Sequence, residues 1–365
     1  MTTASAGVFR SHPLLHSGHL QTVVAAYLTL HSRDEVARRH RVAVADGDQI
    51  ILHDDQPANW RPGERVVLMI HGLVGCYKSP YLKRMVCKLN ARGVRTFRMD
   101  QRGCGAGAGL ARYPYHSGRS DDVRAACHQI EALCPGSPIS VVGYSLGGNL
   151  ALKMMGEDPA AVPANVDRAA AICPPLDLNA CVSRLESGWG RLYDRYFSRL
   201  CTQEVIKRAT TVPGMQLPRE WLFDSVSPQH VRQWKRAKMK IVARPDQWLV
   251  FRPPAGMREF DDQFTSPVCG YQSAEHYYDV SSGGQFVSRI DRPTLILAAE
   301  NDPMIPVESI RKLELSSSVQ REISPGGGHL GFISQFMPAT RDRCWLDARV
   351  LEFALPTKSA QLRAA

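Results

Sequence analysis

The stretch Ile139-Ser140-Val141-Val142-Gly143-Tyr144-Ser145-Leu146-Gly147-Gly148-Asn149 decides how the rest of the chain is read. Residues 139–142 form a short, mostly apolar run, as expected of a strand buried on both faces. Leu146 to Met155 reads as an apolar helix. Between them lies Gly-x-Ser-x-Gly, a pattern that arises by chance in many sequences. Its position between a buried strand and a helix reads as a sharp strand-to-helix turn. Such a turn holds Ser145 at an unfavourable backbone angle, and small residues on either side let strand and helix approach. The serine hydroxyl is then carried at the carboxyl edge of a sheet. The competing reading is a glycine-rich turn with an incidental serine.

The segments around this turn repeat its rhythm. Upstream, Val66 to Ile70 is a continuous apolar run. Ser79 to Ala91 follows with Tyr81, Leu82, Met85 and Leu89 at helical spacing, and Gly93 ends it. Val94 to Met99 is strand-like, Asp121 to Leu133 helical, and Ala169 to Cys173 strand-like. Before them, His40 to Gln56 reads as a hairpin turning at Asp46-Gly47-Asp48. Alternating strands and helices predict an α/β fold, with a mostly parallel sheet and helices on both faces. The alternation pauses from about Leu176 to Ser288, in a stretch rich in aromatics, Arg and Pro. It resumes with the strands Thr294–Leu297 and Val319–Ile323, and Arg341 to Leu355 is expected to close the chain as a helix. The expected organisation is an N-terminal segment (1–39) packed on a core (40–175 and 289–355), an inserted, mainly helical cap (176–288), and a frayed tail (356–365).

Composition sets the outer limits. The 365 residues are 44% hydrophobic and 22% charged, which excludes collagen-like, low-complexity and wholly disordered chains. A formal charge of +10 permits attraction to polyanions without demonstrating it. The ten cysteines form no C-x-x-C pair and show no zinc-ligand spacing, so buried thiols and a reducing, cytoplasmic setting are expected. The apolar stretch Leu20–Leu30 is too short to span a membrane, which takes about 20 residues. It also has no secretory-signal pattern.

Three further elements give the serine a chemistry. A serine hydroxyl is a weak nucleophile and needs a base near neutrality, which in turn needs a carboxylate to orient it. His329 follows the strand 319–323 in Gly326-Gly327-Gly328-His329, and Asp302 follows the strand 294–297 in Glu300-Asn301-Asp302-Pro303. Asp177, after the strand 169–173, is the rival acid. No other histidine sits in a glycine-rich loop after a late strand. The order Ser145, Asp302, His329 is that of an α/β-hydrolase. An oxyanion formed at an ester carbonyl needs backbone N–H donors. These are expected from Leu146 and from Leu73 in the His71-Gly72-Leu73 loop, with His71 shaping that loop rather than acting as base.

The chain resembles the YheT-like branch of the α/β-hydrolase superfamily, which is grouped with the AB-hydrolase-domain and Emb8-type proteins. The residues that carry the resemblance run through most of the sequence. They include Gly18 to Thr22, His71-Gly72-Leu73 with Ser79-Pro80-Tyr81, Met99 to Gly105, Tyr115 to Arg119 and Gly143 to Asn149. Arg258 to Asp262, Phe264-Thr265, Gly270-Tyr271, Tyr277-Tyr278 and Asp302-Pro303 continue the pattern. The resemblance implies a Ser145–Asp302–His329 charge relay and carboxylesterase or lipase activity. Related eukaryotic proteins carry a membrane anchor or act on phospholipids and acylglycerols; no such anchor is read here.

The expected activity is therefore hydrolysis of short- to medium-chain acyl esters or acylglycerols through an acyl-enzyme, with no metal or organic cofactor and no nucleic-acid partner. Acyl transfer to an alcohol and a catalytically inactive binding role are the alternatives. His116 to Asp121 matches an H-x-x-x-x-D pattern cited for acyltransferases, and its plainer reading is a helix cap by Ser117, Ser120 or Asp121. Arg258 to Asp262 is read as an ion-paired brace between cap and core, with a place at the substrate mouth as the alternative. The basic run Arg232, Lys235, Arg236, Lys238, Lys240 reads as a solvated face, with weak attraction to an anionic lipid surface as the sharper option.

Overall fold

A computed structural model describes residues 6–27, 37–221, 240–243, 248–251, 253–337 and 342–356. Its centre is an eight-stranded sheet. The strands, in chain order, are β1 (Arg38–Ala43), β2 (Gln49–Asp55), β3 (Val66–Ile70), β4 (Arg95–Asp100), β5 (Ile139–Tyr144), β6 (Val166–Ile172), β9 (Thr294–Ala299) and β10 (Val319–Ser324). Their spatial order is β1-β2-β4-β3-β5-β6-β9-β10. β2 pairs antiparallel with β1 and β4, and every other neighbouring pair is parallel.

The unbroken apolar runs follow from this topology, because a central parallel strand is covered on both faces. In β3, Val66, Leu68 and Ile70 enter one core, with Val141 of β5 and helices α3 (Ser120–Leu133) and α4 (Leu146–Glu157). Val67 and Met69 enter the opposite core, with Val142, α2 (Pro80–Asn90) and the closing helix α11 (Trp345–Ala354). The two buried arginines of β4 are paired: Arg95 binds Asp54 and Arg98 binds Asp55 of β2 through two hydrogen bonds each.

Between β6 and β9 lie α5 (Leu178–Leu185), α6 (Gly190–Thr211) and the hairpin β7 (Lys240–Ala243) and β8 (Trp248–Phe251). Then come α7 (Met257–Phe260), a π-helical turn (Asp261–Thr265), α8 (Ser266–Cys269) and α9 (Ala274–Ser281). The described part of the insertion is thus mainly helical. Buried Trp221 lies against Phe260 and Phe264, and all three join the core on the α3–α4 face of the sheet, whereas Leu178, Val182, Ala274, Tyr277 and Tyr278 form a small separate cluster within the insertion. A short α10 (Val307–Arg311) joins β9 to β10. Among the described residues no helix is long and apolar enough to cross a membrane.

The closing helix differs from the sequence reading. Residues 342–344 form a strand, β12 (Asp342–Cys344), paired with β11 (Ile333–Met337), and the helix starts only at Trp345. Asp342 is responsible: its carboxylate accepts the Arg343 and Cys344 N–H groups and meets Lys88, which fixes an extended turn before the helix.

Candidate active site

The turn after β5 carries the strain expected of it. Ser145 has φ 53° and ψ −121°, a region that non-glycine residues rarely occupy. A side chain at position 143 would lie 2.1 Å from the Gly147 carbonyl oxygen, and one at 147 would lie 2.5 Å from that of Ile70. Only glycine allows strand and helix to approach this closely. Among the described residues four further non-glycine residues have positive φ: Val74, Cys173, Leu330 and Phe332. All four stand in the loops that follow strands at the same sheet edge or bear on His329.

The late loops bring their side chains to the serine. His329 Nε2 lies 2.9 Å from Ser145 Oγ, and His329 Nδ1 lies 2.8 Å from Asp302 Oδ2. The other oxygen of Asp302 accepts the N–H groups of Met304 (2.9 Å) and Ile305 (3.0 Å), so the carboxylate is held from both sides. The rival acid, Asp177, accepts the Ala180 N–H and caps α5. The structure therefore brings Ser145, Asp302 and His329 together and leaves Asp177 in a helix cap.

The loop after β3 supplies the other wall. Gly72 N–H donates to Tyr81 Oη and Val74 N–H to Tyr115 Oη. The Leu73 N–H between them has no acceptor among the described residues. Leu146 opens α4, so its N–H belongs to the first turn, which lacks intrahelical partners. His71 is wholly buried. Its Nδ1–H donates to the Gly72 carbonyl and its Nε2 accepts the Gln101 N–H. Burial holds its pKa below the ordinary value, so the ring is neutral and braces the loop.

Two residues in the N-terminal helix α1 (Gly18–Tyr27) hold the histidine loop, and the sequence reading assigns them no task. His329 N–H donates to Thr22 Oγ1 at 2.8 Å. Buried Gln21 donates to the Leu15 and Ile333 carbonyls and accepts the Ile333 N–H. The only sequence signal was their place in the Gly18–Thr22 motif.

Ser145 and His329 border two spaces. One is a cavity under the insertion with a mainly apolar lining that includes Leu178, Val182, Phe197, Val205, Met257 and Phe264. The other is a groove between α1 and α6, bordered by Thr22, Tyr193 and Trp189. The cap aromatics thus divide. Trp221 is internal, Phe197 lines both spaces, and Trp189 is 74% exposed. Phe223, Trp234 and the basic residues from Arg232 to Lys238 lie outside the described residues.

Two motif readings change. The segment 116–121 does not cap α3 through a side chain. Instead Ser117 N–H donates to Tyr277 Oη, Asn149 donates to the Ser117 carbonyl, and Ser120 Oγ donates to Glu157. The segment thereby ties α4 to α9. Arg258 is ion-paired, but to Glu186 and Glu275 within the insertion and not to the core. Asp261 in the same run lines the cavity, and burial raises its pKa to about 6 while Thr265 and Tyr278 donate to it. All ten cysteines are free thiols, and seven are buried.

Comparison with known proteins identifies the family and the fold. Residues 65–336 match the alpha/beta hydrolase fold family. YheT of Escherichia coli (strain K12), whose name proposes an esterase, is 30% identical over 85% of this chain and 82% of its own. The Homo sapiens phospholipase ABHD3 is 25% identical over 92% of this chain and 76% of its own. The crystal structure of 2,6-dihydroxy-pseudo-oxynicotine hydrolase superposes with a TM-score of 0.52 at 16% identity, covering 92% of this chain and 72% of that one, a likeness of fold. The chain belongs to the alpha/beta hydrolase fold family, in its YheT-like branch.

Proposed function

We propose that the protein hydrolyses carboxylic esters through an acyl-enzyme on Ser145. The observation that carries this reading is the single imidazole of His329, set within hydrogen-bond distance of both Ser145 and Asp302 at the wall of an apolar cavity. Asp302 accepts from Nδ1–H, which leaves Nε2 free to accept the serine proton. Ser145 Oγ bonds to the ester carbonyl carbon, and its proton passes to Nε2. The oxyanion meets the Leu73 and Leu146 N–H groups. The C–O bond to the alcohol breaks, and the alcohol takes the proton from Nε2. Water then repeats the sequence, giving the acid and free Ser145. The residues at hand need no metal for these steps. The esterase and phospholipase names of the relatives support the class of reaction.

Hydrolysis of short p-nitrophenyl esters tests the reading. Ser145→Ala is expected to lose at least about a thousandfold in kcat; wild-type turnover in that variant would overturn it. At the start of α6 and along it, the exposed Trp189, Leu192 and Tyr196 lie among the exposed Arg191, Arg195 and Arg199 beside the groove. This composition supports delivery of the ester from an anionic lipid surface. Binding to phosphatidylglycerol vesicles that is unchanged in Trp189→Ser would count against that delivery.

A further inference from the structure

Among the described residues five arginines are buried: Arg84, Arg95, Arg98, Arg102 and Arg208. Four of them hold an aspartate through two nitrogens each: Arg84 on Asp347, Arg95 on Asp54, Arg98 on Asp55 and Arg102 on Asp122. Arg208 differs. Its residue is 6% exposed, and its Nη2 donates only to the Ala111 and Arg112 carbonyls, both at 3.1 Å. Its Nε and Nη1 are buried with no hydrogen-bond partner. No ion pair joins it to Glu204, one turn earlier on α6, although both residues line the same space. That space is the cavity that contains Ser145 and His329.

A buried cation without a counter-charge is costly, whereas a charge-assisted bond to an oxyanion from a planar guanidinium is strong. Gly103 also lines the cavity and makes room for this group: a side chain there would lie 1.9 Å from Arg208 Nη1. Arg102, at the same wall, has every nitrogen engaged by Asp46, Asp48 and Asp122, so it offers no charge to a ligand. Burial holds the Arg208 pKa below its ordinary value even though Asp48 and Glu204 lie near enough to oppose the shift, so neither carboxylate makes up for the lost hydration.

We infer that Arg208 is a specificity residue, and that the natural ester carries an anionic group, carboxylate or phosphate, on the arm that fills the cavity under the insertion. The inference rests on the ester-hydrolase reading. It narrows the substrate from apolar esters in general to esters with an apolar stem and an anionic tip.

The test compares kcat/KM on butyl butanoate with three charged analogues: monobutyl adipate, 4-butanoyloxybutanoate and 4-butanoyloxybutyl phosphate. The first carries the anion on the acyl arm and the other two carry it on the alcohol arm, and the last two separate carboxylate from phosphate. At least one charged ester is expected to exceed the neutral one by tenfold or more in the wild type. In Arg208→Met that ratio is expected to fall below twofold, and in Arg208→Lys to lie between. If wild-type ratios all stay within twofold while butyl butanoate is cleaved in a Ser145-dependent manner, this inference fails and the esterase reading stands. That wild-type result decides even if Arg208→Met does not fold. A preference that survives intact in folded Arg208→Met also overturns the inference. If no ester of either kind is cleaved, the esterase reading fails and takes this inference with it.

Discussion

Two histidine–aspartate pairs of equal length sit in this molecule, at different strands of one sheet. His329 meets Asp302 at 2.8 Å, and His53 of β2 meets Asp100 of β4 at 2.8 Å. Both carboxylates are also held by two backbone N–H groups, from Met304 and Ile305 in one case and from Tyr77 and Ala106 in the other. The difference lies on the far side of the imidazole. His329 turns its second nitrogen to Ser145 at the cavity wall. His53 turns its own into a sealed interior, with Nδ1 unpartnered and the ring stacked on Tyr77 at a centroid distance of 3.7 Å. An imidazole–carboxylate contact is therefore an ordinary way to settle a buried histidine. What sets the other pair apart, and carries the proposed function, is a hydroxyl at hydrogen-bond distance and an adjoining cavity.

Removing each histidine should break the comparison in opposite ways. His329→Ala is expected to lower kcat by at least about a thousandfold, with little change in unfolding midpoint. His53→Ala leaves the buried Asp100 carboxylate without its imidazole partner. It is expected to cost about 3 kcal/mol or more in urea unfolding, while turnover per fluorophosphonate-titrated site stays near wild type. A large activity loss per titrated site in His53→Ala would erase the distinction.

A third buried carboxylate sharpens it through pH. Asp261 accepts only hydroxyl donors, and burial raises its pKa from 3.8 to about 6. The folded state then holds this proton more tightly than the unfolded chain. Its stabilising contribution is complete below about pH 4 and is lost as pH rises through 6. At 1.36 kcal/mol per unit the difference is at most about 3 kcal/mol. Asp261→Asn cannot ionise, so its stability relative to wild type is expected to rise between pH 4 and 6.5 and then level. Parallel stability curves for the two proteins would remove Asp261 from the account.

What could be read from the sequence was local. The turn at Ser145 is written in eleven consecutive residues, and the strands β3, β5 and β9 announce themselves because burial on both faces leaves no polar alternation to obscure them. Helix α6 was not legible for the opposite reason. Its buried stripe is Gly190, Asp194, Ser198, Cys201, Thr202, Val205 and Arg208, so the helical period is carried by small and polar residues that hydropathy does not mark. Arg208 was hidden with it. The start of α11 was misplaced because Asp342 and its partner Lys88 are far apart in the chain. The hold of α1 on the histidine loop was invisible for the same reason, since Thr22 and His329 are 307 positions apart.

That long-range contact offers the smallest and most discriminating test of the comparison. His53 is fixed by close packing on all sides, whereas the His329 N–H is held by one hydroxyl, Thr22 Oγ1, which itself donates to the Gly18 carbonyl. Thr22→Val keeps the shape and removes the acceptor, so the loop loses one hydrogen bond, worth about 1 kcal/mol. If Thr22 positions the imidazole, the loss falls on the geometry between His329 and Ser145. It should appear as a drop of about tenfold in kcat, equivalent to about 1.4 kcal/mol of barrier, with KM nearly unchanged and with Thr22→Ser restoring most of it. If Thr22 only stabilises α1, the variant should melt earlier and turn over ester at the wild-type rate below its transition. The kcat of Thr22→Val, measured well below its melting point, decides whether the His329–Asp302 pair owes its proposed function to a helix at the other end of the chain.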